Sequence, residues 1–206
     1  PGADPLEFTL LEDGTIDILV NGDSLTPGLL DVFLPGPANE SADIDPGGNQ
    51  SISLTSPIPA TTAEGGTLEP ISDATGLTRF RYRPRANFTG MDSFIYTVTD
   101  DGITVDIGTG GAVRPEPRIA SNTVGLIVLP VNDAPQFSGA GNVESDEDEG
   151  PVTVLNWATN VQAGPASAGD EAADQNLTFV ITQLSSNTDL FATPPAAVVD
   201  PDTNTA

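Results

Sequence analysis

Apolar and polar residues alternate in five short runs of the chain. TIDILV (15–20) places Ile16, Ile18 and Val20 on one side, and SISLTS (51–56) does the same with Ile52 and Leu54. RFRYR (79–83) alternates Phe80 and Tyr82 with arginines. SFIYTVT (93–99) aligns Phe94, Tyr96 and Val98, and TVGLIVL (123–129) aligns Val124, Leu126 and Val128. A period of two puts such residues on one face of a pleated strand, with the other face solvated. No stretch shows a convincing period of 3.6. Turn-forming clusters separate the runs: EDGT, NGDS, DPGGN, TDDG and GTGG. Short strands joined by such turns predict an all-β, antiparallel sandwich.

The spacing within DSFIYTV (92–98) refines this. Asp92, Tyr96 and Val98 match the tyrosine-corner pattern of immunoglobulin-like domains, with Val98 where a Cys often stands. That assignment makes 93–99 strand F, 79–83 strand E and 123–129 strand G. The segment between F and G, 100–122, is then a long insertion, read as an extended hairpin or flap carrying Arg114 and Arg118.

The chain also repeats itself. LEDGTIDILVNG (11–22) resembles DEDEGPVTVLNWATN (146–160), aligning Gly14 with Gly150, Ile16 with Val152, Ile18 with Val154 and Leu19 with Leu155. GGNQSISLTS matches AADQNLTFVI, which sets Asp45 near Asp170. The expected organisation is one complete repeat over 1–131, a linker over 132–137, and the N-terminal part of a second, similar sandwich over 138–206. That second copy stops before counterparts of strands E, F and G. Either those strands lie beyond Ala206, or they do not order, or another chain supplies them by strand exchange. Trp157 is expected in the core of this second copy.

Composition narrows the chemistry. Gly and Pro number 21 and 19, and hydrophobic residues make up 37%. There is no Cys and no His, so thiol chemistry, disulfides and histidine bases are excluded. Asp and Glu number 30 against six Arg, for a net charge of −24. Such a chain repels phosphate backbones and anionic membranes and attracts cations. No apolar run approaches a membrane span. Yet Arg79, Arg81, Arg83 and Arg85 fall within seven residues. Alternation with Phe80 and Tyr82 makes the first three a stripe on the outer face of one strand. That stripe is either a solvated face offset by neighbouring acids or a docking surface for an acidic patch on another copy.

PRANFTGMDSFIYTVTDDG (84–102), LPVNDAPQF (129–137) and the new EDEG (147–150) together resemble the tandem cadherin-like and bacterial immunoglobulin-like repeats of very large secreted or surface proteins. Pro84, Phe88, Gly90, Asp92, Ser93, Phe94, Tyr96 and Val98 carry the pattern, and Asn132-Asp133-Ala134-Pro135 is similar to a cadherin interdomain linker. The resemblance implies an extracellular or cell-surface spacer, adhesin or matrix component. Its partners would be other copies or repeats of itself, or cell-surface and matrix ligands. It also implies calcium at domain junctions.

Calcium takes six to eight hard oxygen ligands, which loops at one end of a sandwich can supply. The candidates are Glu12 and Asp13 in the entry turn, Asp100 and Asp101 after strand F, Asn132 and Asp133 in the linker, and Asp170 and Asp174 in the second repeat. The cadherin likeness supports Glu12, Asn132, Asp133 and Asp170 in particular, although the Asp-Arg-Glu and Pro-Glu-Asn-Glu motifs of cadherins are missing. The alternative is that these acids only cap turns. DIDPGGNQ (43–50) offers Asp43 and Asp45 but fails as an EF-hand, since its twelfth position is Leu54 rather than Glu. No nucleophile elbow, phosphate loop or dinucleotide fingerprint is present, so no enzyme is expected. Two further readings compete with the structural repeat. One is a carbohydrate- or protein-binding accessory module using the F–G insertion. The other is a fibre subunit built by strand exchange.

Overall fold

The computed structural model describes residues 5–33, 51–55, 57–74, 76–106, 112–146, 148–171, 175–182, 191, 193–200 and 205, with backbone only at 103–106 and 112–115. It divides into two units, Pro1–Pro130 and Val131–Ala206. The strands of the first unit are β1 (Leu6–Leu11), β2 (Ile16–Leu19), β3 (Ile52–Leu54), β4 (Thr67–Asp73), β5 (Gly76–Arg83), β6 (Gly90–Asp100), β7 (Ile103–Asp106), β8 (Ala112–Pro115) and β9 (Ile119–Leu129).

Two sheets share one core. The first has the order β1-β9-β6-β3 and the second β2-β5-β4. All pairings are antiparallel except β1 with β9, which run parallel in the register Leu6↔Val124 to Leu11↔Leu129. The chain crosses between sheets at β1–β2, β2–β3, β3–β4 and β5–β6, so the sheets face each other as a sandwich. Most of the inward residues are those the alternation selected, joined by Leu6, Leu29 and Leu68. Ile18, Tyr82, Val124 and Leu126 are fully buried, with Phe80, Phe94, Tyr96, Val98 and Val128 beside them. Each fully buried side chain of this size contributes about 1.5–3 kcal/mol.

Strands at 93–99, 79–83 and 123–129 occupy the F, E and G positions, and all three are longer than predicted. Residues 119–122 join β9 by pairing with 96–99 of β6. The remaining insertion holds the antiparallel hairpin β7–β8, in the register Ile103↔Pro115 to Asp106↔Ala112.

The polar interior is tied to the tyrosines. Tyr96 donates its hydroxyl to the Leu29 carbonyl at 2.7 Å, anchoring the loop that follows β2. Leu29 and Leu30 in turn donate their N–H groups to Leu19 and Val20. Within this loop Asp31 Oδ2 accepts the Gly22 and Gly28 N–H groups at 3.0 and 2.9 Å. A Cβ at Gly28 would lie 2.3 Å from the Gly22 nitrogen, so no larger residue fits without moving backbone. Asp92, only 3% exposed, accepts from Tyr82 Oη at 2.7 Å, from Thr62 Oγ1, and from the Glu64 and Ser93 N–H groups at 2.9 and 2.7 Å.

The second unit contains β10 (Gln136–Gly139) and β11 (Ala158–Gln162), which pair antiparallel with a bulge between Gln136 and Ser138. Trp157 packs against Phe137 and Phe179, with centroids 6.4 and 6.0 Å away, and donates its Nε1–H to the Gly141 carbonyl. The alignment of Val152, Val154 and Leu155 with β2 predicts a strand there, and the structure has none. These side chains are 47%, 42% and 81% exposed. The reason lies in pairing. β2 takes its ladder from β5 alone, and among the described residues of the second unit no strand lies beside 152–155. A segment without a ladder partner gains nothing from extension.

Candidate functional site

Within the first unit, the four predicted cation ligands do not gather at one place. Glu12 and Asp13 form the β1–β2 turn, where Gly14 donates to the Leu11 carbonyl and Asp13 adopts a φ of 57°. The Glu12 N–H reaches the Leu129 carbonyl at 2.9 Å, so this turn sits where β9 ends. Asp13 Oδ1 accepts the Asn87 N–H at 3.2 Å.

Asp100 and Asp101 lie at the other end of the sandwich. The Asp100 N–H donates to Arg118, just before β9 begins. The length of β9 separates the two groups by about 33 Å at 3.3 Å per residue. Asp100 and Asp101 therefore cannot join Glu12 and Asp13 in one site. Their carboxylates are also occupied. Asp100 Oδ1 accepts the Gly102 and Arg118 N–H groups at 3.1 and 2.8 Å. Asp101 takes the Ser51 N–H at 2.6 Å and the Ser51 hydroxyl at 2.7 Å, which hold its carboxyl below the usual range. At this end the turn-capping reading accounts for the acids.

The second unit brings linker and body together. The Asp133 N–H donates to Glu171 Oε1 at 2.7 Å. Gln175 Nε2 donates to Asn132 Oδ1 at 3.0 Å and also contacts Glu171 Oε2. Glu171 is 3% exposed. Gly164 closes the cradle: a Cβ there would lie 2.9 Å from Glu171 Cγ and 3.1 Å from Asp133 Cβ. Beside Glu171, the Oδ1 atom of Asp170 is buried with no hydrogen-bond partner among the described residues. Glu171 and Gln175 escaped the sequence reading, which took Asp170 and Asp174 from this stretch and passed over the two residues beside them. In kind, these oxygens suit a hard cation. In spacing, no group of three or more acidic side chains among the described residues is placed to hold one. Asp43, Asp45 and Asp174 lie outside the described residues.

The arginine stripe has a local partner. Arg81 makes a two-pronged contact with Asp17, Nε to Oδ1 at 2.8 Å and a terminal nitrogen to Oδ2 at 3.1 Å. The Arg79 Nε is 3.0 Å from Asp17 Oδ2 but poorly angled, so that contact is an ion pair rather than a hydrogen bond. The hydrogen bond from Arg81 holds the Asp17 carboxyl below its ordinary value against the effect of burial. Arg83 is exposed beside Thr67, and Arg85 stacks over Phe88 at 5.4 Å. A solvated face offset by acids describes these contacts better than a docking stripe. Arg81→Glu is accordingly expected to leave the mass measured by light scattering unchanged, and a fall in assembly would restore the docking reading.

The sandwich of residues 6–129 is the setting in which a sequence comparison has weight. The family model of the bacterial Ig domain matches residues 2–109, just over half of the 206. The chain belongs to the bacterial Ig domain family. The match ends inside the insertion, so β9, which pairs with both β1 and β6, lies outside the matched range. No curated protein and no solved structure matches the chain.

Proposed function

We propose that this bacterial Ig domain chain is a non-catalytic structural or adhesive repeat of an extracellular surface protein or filament. Calcium braces the segment at Asn132 and Asp133 against the body of the second unit. The observation that carries this reading is the Asp133–Glu171 hydrogen bond beside the unpartnered, buried Asp170 Oδ1. A buried carboxyl oxygen without a hydrogen-bond partner is costly, and a bound cation is one way to satisfy it. The bound ion would be held by Asp170 and by oxygens of Asn132, Asp133 and Glu171, which shift to meet it. A tandem, cadherin-like arrangement fits the Asn-Asp-Ala-Pro segment at the start of the second unit. A non-catalytic role fits Asp92, a buried carboxylate saturated by donors rather than poised in an apolar pocket.

Calorimetric titration of the full chain with calcium is expected to give heat, with a dissociation constant in the range of about 10⁻⁴–10⁻³ M typical of extracellular modules. Asp170→Asn is expected to weaken that binding at least roughly tenfold, in keeping with the loss of a charged ligand. A silent titration of the wild type would remove calcium from the reading, and an unchanged Asp170→Asn titration would move the site elsewhere. EDTA is expected to loosen the chain in small-angle scattering, and an unaltered profile would count against bracing.

A further inference from the structure

The two outer faces of the first unit differ sharply in charge. On the β2-β5-β4 sheet the outward positions include Asp17, Glu69, Arg79, Arg81 and Arg83. On the β1-β9-β6-β3 sheet, the outward positions of β6 run from Met91 to Thr99 and those of β9 from Ile119 to Leu129. They carry only Met, Ile, Leu, Ser, Thr and Gly. Glu7 of β1, lying over Gly125, is the single charge among the outward residues of these four strands. In a chain of net charge −24 this is an unusual absence. The face is also apolar at exposed points: Met91 is 72% exposed, Ile95 62% and Ile119 70%.

We infer that this sheet face, whose single charge is Glu7 on the β1 edge, docks against the same face of a second copy of the chain. Charge selects the partner. Two copies this acidic repel wherever their acids meet, and the approach of the two faces poorest in charge is the one that keeps most of the acids apart. A two-fold arrangement makes the patch its own complement. Area sets the strength. Strands of this length, at 3.3 Å per residue and about 4.8 Å apart, give roughly 500 Å² of plan area per copy. Two copies bury roughly 1,000 Å², at the lower bound for a specific interface. The contact is therefore weak and reversible, suited to lateral association of chains at high local concentration. It needs no cation, so its failure and that of the calcium reading are separable.

Sedimentation equilibrium of the full chain in EDTA, from about 10 µM to about 1 mM, tests this in the affinity range such small interfaces reach. The weight-average mass is expected to rise toward twice the monomer's, and to rise further in higher salt as acidic repulsion is screened. Ile95→Glu sets like charges against each other across the two-fold and is expected to weaken association at least roughly tenfold. Thr67→Glu on the opposite face is expected to change nothing. Amide shifts on dilution of the wild-type chain, which need no variant, are expected along β6 and β9. A mass independent of concentration, an equal effect of Thr67→Glu, or dilution shifts confined to the second unit would each overturn the inference.

Discussion

Asp92→Ala is expected to lower the stability of the first unit by about 3–5 kcal/mol, the range for removing one partner of a buried charged network. The carboxylate is enclosed and accepts four hydrogen bonds, from Thr62, Glu64, Tyr82 and Ser93. Alanine leaves all four donors without this acceptor, and those of Thr62 and Tyr82 are on buried residues. Asp92→Asn keeps one oxygen and adds two donors to a site already full of them, so a loss of about half that size is expected. Burial alone would push the carboxyl upward, but the hydrogen bonds outweigh it and hold it below its ordinary value. The sign of the pH dependence follows. A depressed folded pKa stabilises the fold above the unfolded value of about 3.9, and that stability is lost as pH falls through the folded pKa. Wild-type stability is therefore expected to drop below about pH 4, and Asp92→Asn to lack that part of the drop. The only Trp, Trp157, lies in the second unit, so its fluorescence reports the wrong unit. Both tyrosines, Tyr82 and Tyr96, lie in the first, and their near-ultraviolet circular dichroism through a urea titration is the appropriate signal. A loss for Asp92→Ala under about 1 kcal/mol would mean that the network contributes little beyond solvation.

What the sequence made legible, it did so through period two. Phe94, Tyr96 and Val98 had to share a face, and so did Val124, Leu126 and Val128; a sandwich was the fold that could bury both sets. β1 carried the same signal in Leu6, Phe8 and Leu10 and was overlooked for its neighbour, the EDG turn. β4 could not be read this way. It contains Pro70 and buries little besides Leu68, because it is an edge strand paired only to β5, where a residue without an N–H is tolerated. The candidate site was less legible for a different reason. Acid-rich turns were taken as one end of the molecule, but β9 runs the full length of the sandwich and carries Asp100 and Asp101 away from Glu12 and Asp13. Composition counts carboxylates, whereas only strand order and direction decide which ones meet. The second unit failed for want of context: Val152 and Val154 repeat the β2 pattern, and a pattern without a paired strand does not become one.

Tyr96→Ala carries the second large effect, about 3–5 kcal/mol for losing a buried aromatic ring. The ring is 2% exposed, meets Phe33 edge-on at 5.7 Å and packs beside Phe94. Tyr96→Phe separates the hydroxyl from the ring. It keeps the packing and strips the Leu29 carbonyl of its donor, at about 1–2 kcal/mol. Burial raises the phenol above its ordinary value, so it is protonated and able to donate at neutral pH. The two variants differ in where the damage appears. The alanine removes packing that belongs to both sheets, so the unit should lose cooperativity as a whole. The phenylalanine gives up the hydroxyl's bonds to the loop after β2 and to Asn122 but keeps the ring, and the Leu29 and Leu30 amides, bonded to Leu19 and Val20, should exchange with solvent well before those of β6. If Tyr96→Phe left those two amides as protected as in the wild type, the hydroxyl would not be what holds the loop. The buried Leu29 side chain and the backbone bonds of Leu29 and Leu30 would then hold it without the hydroxyl.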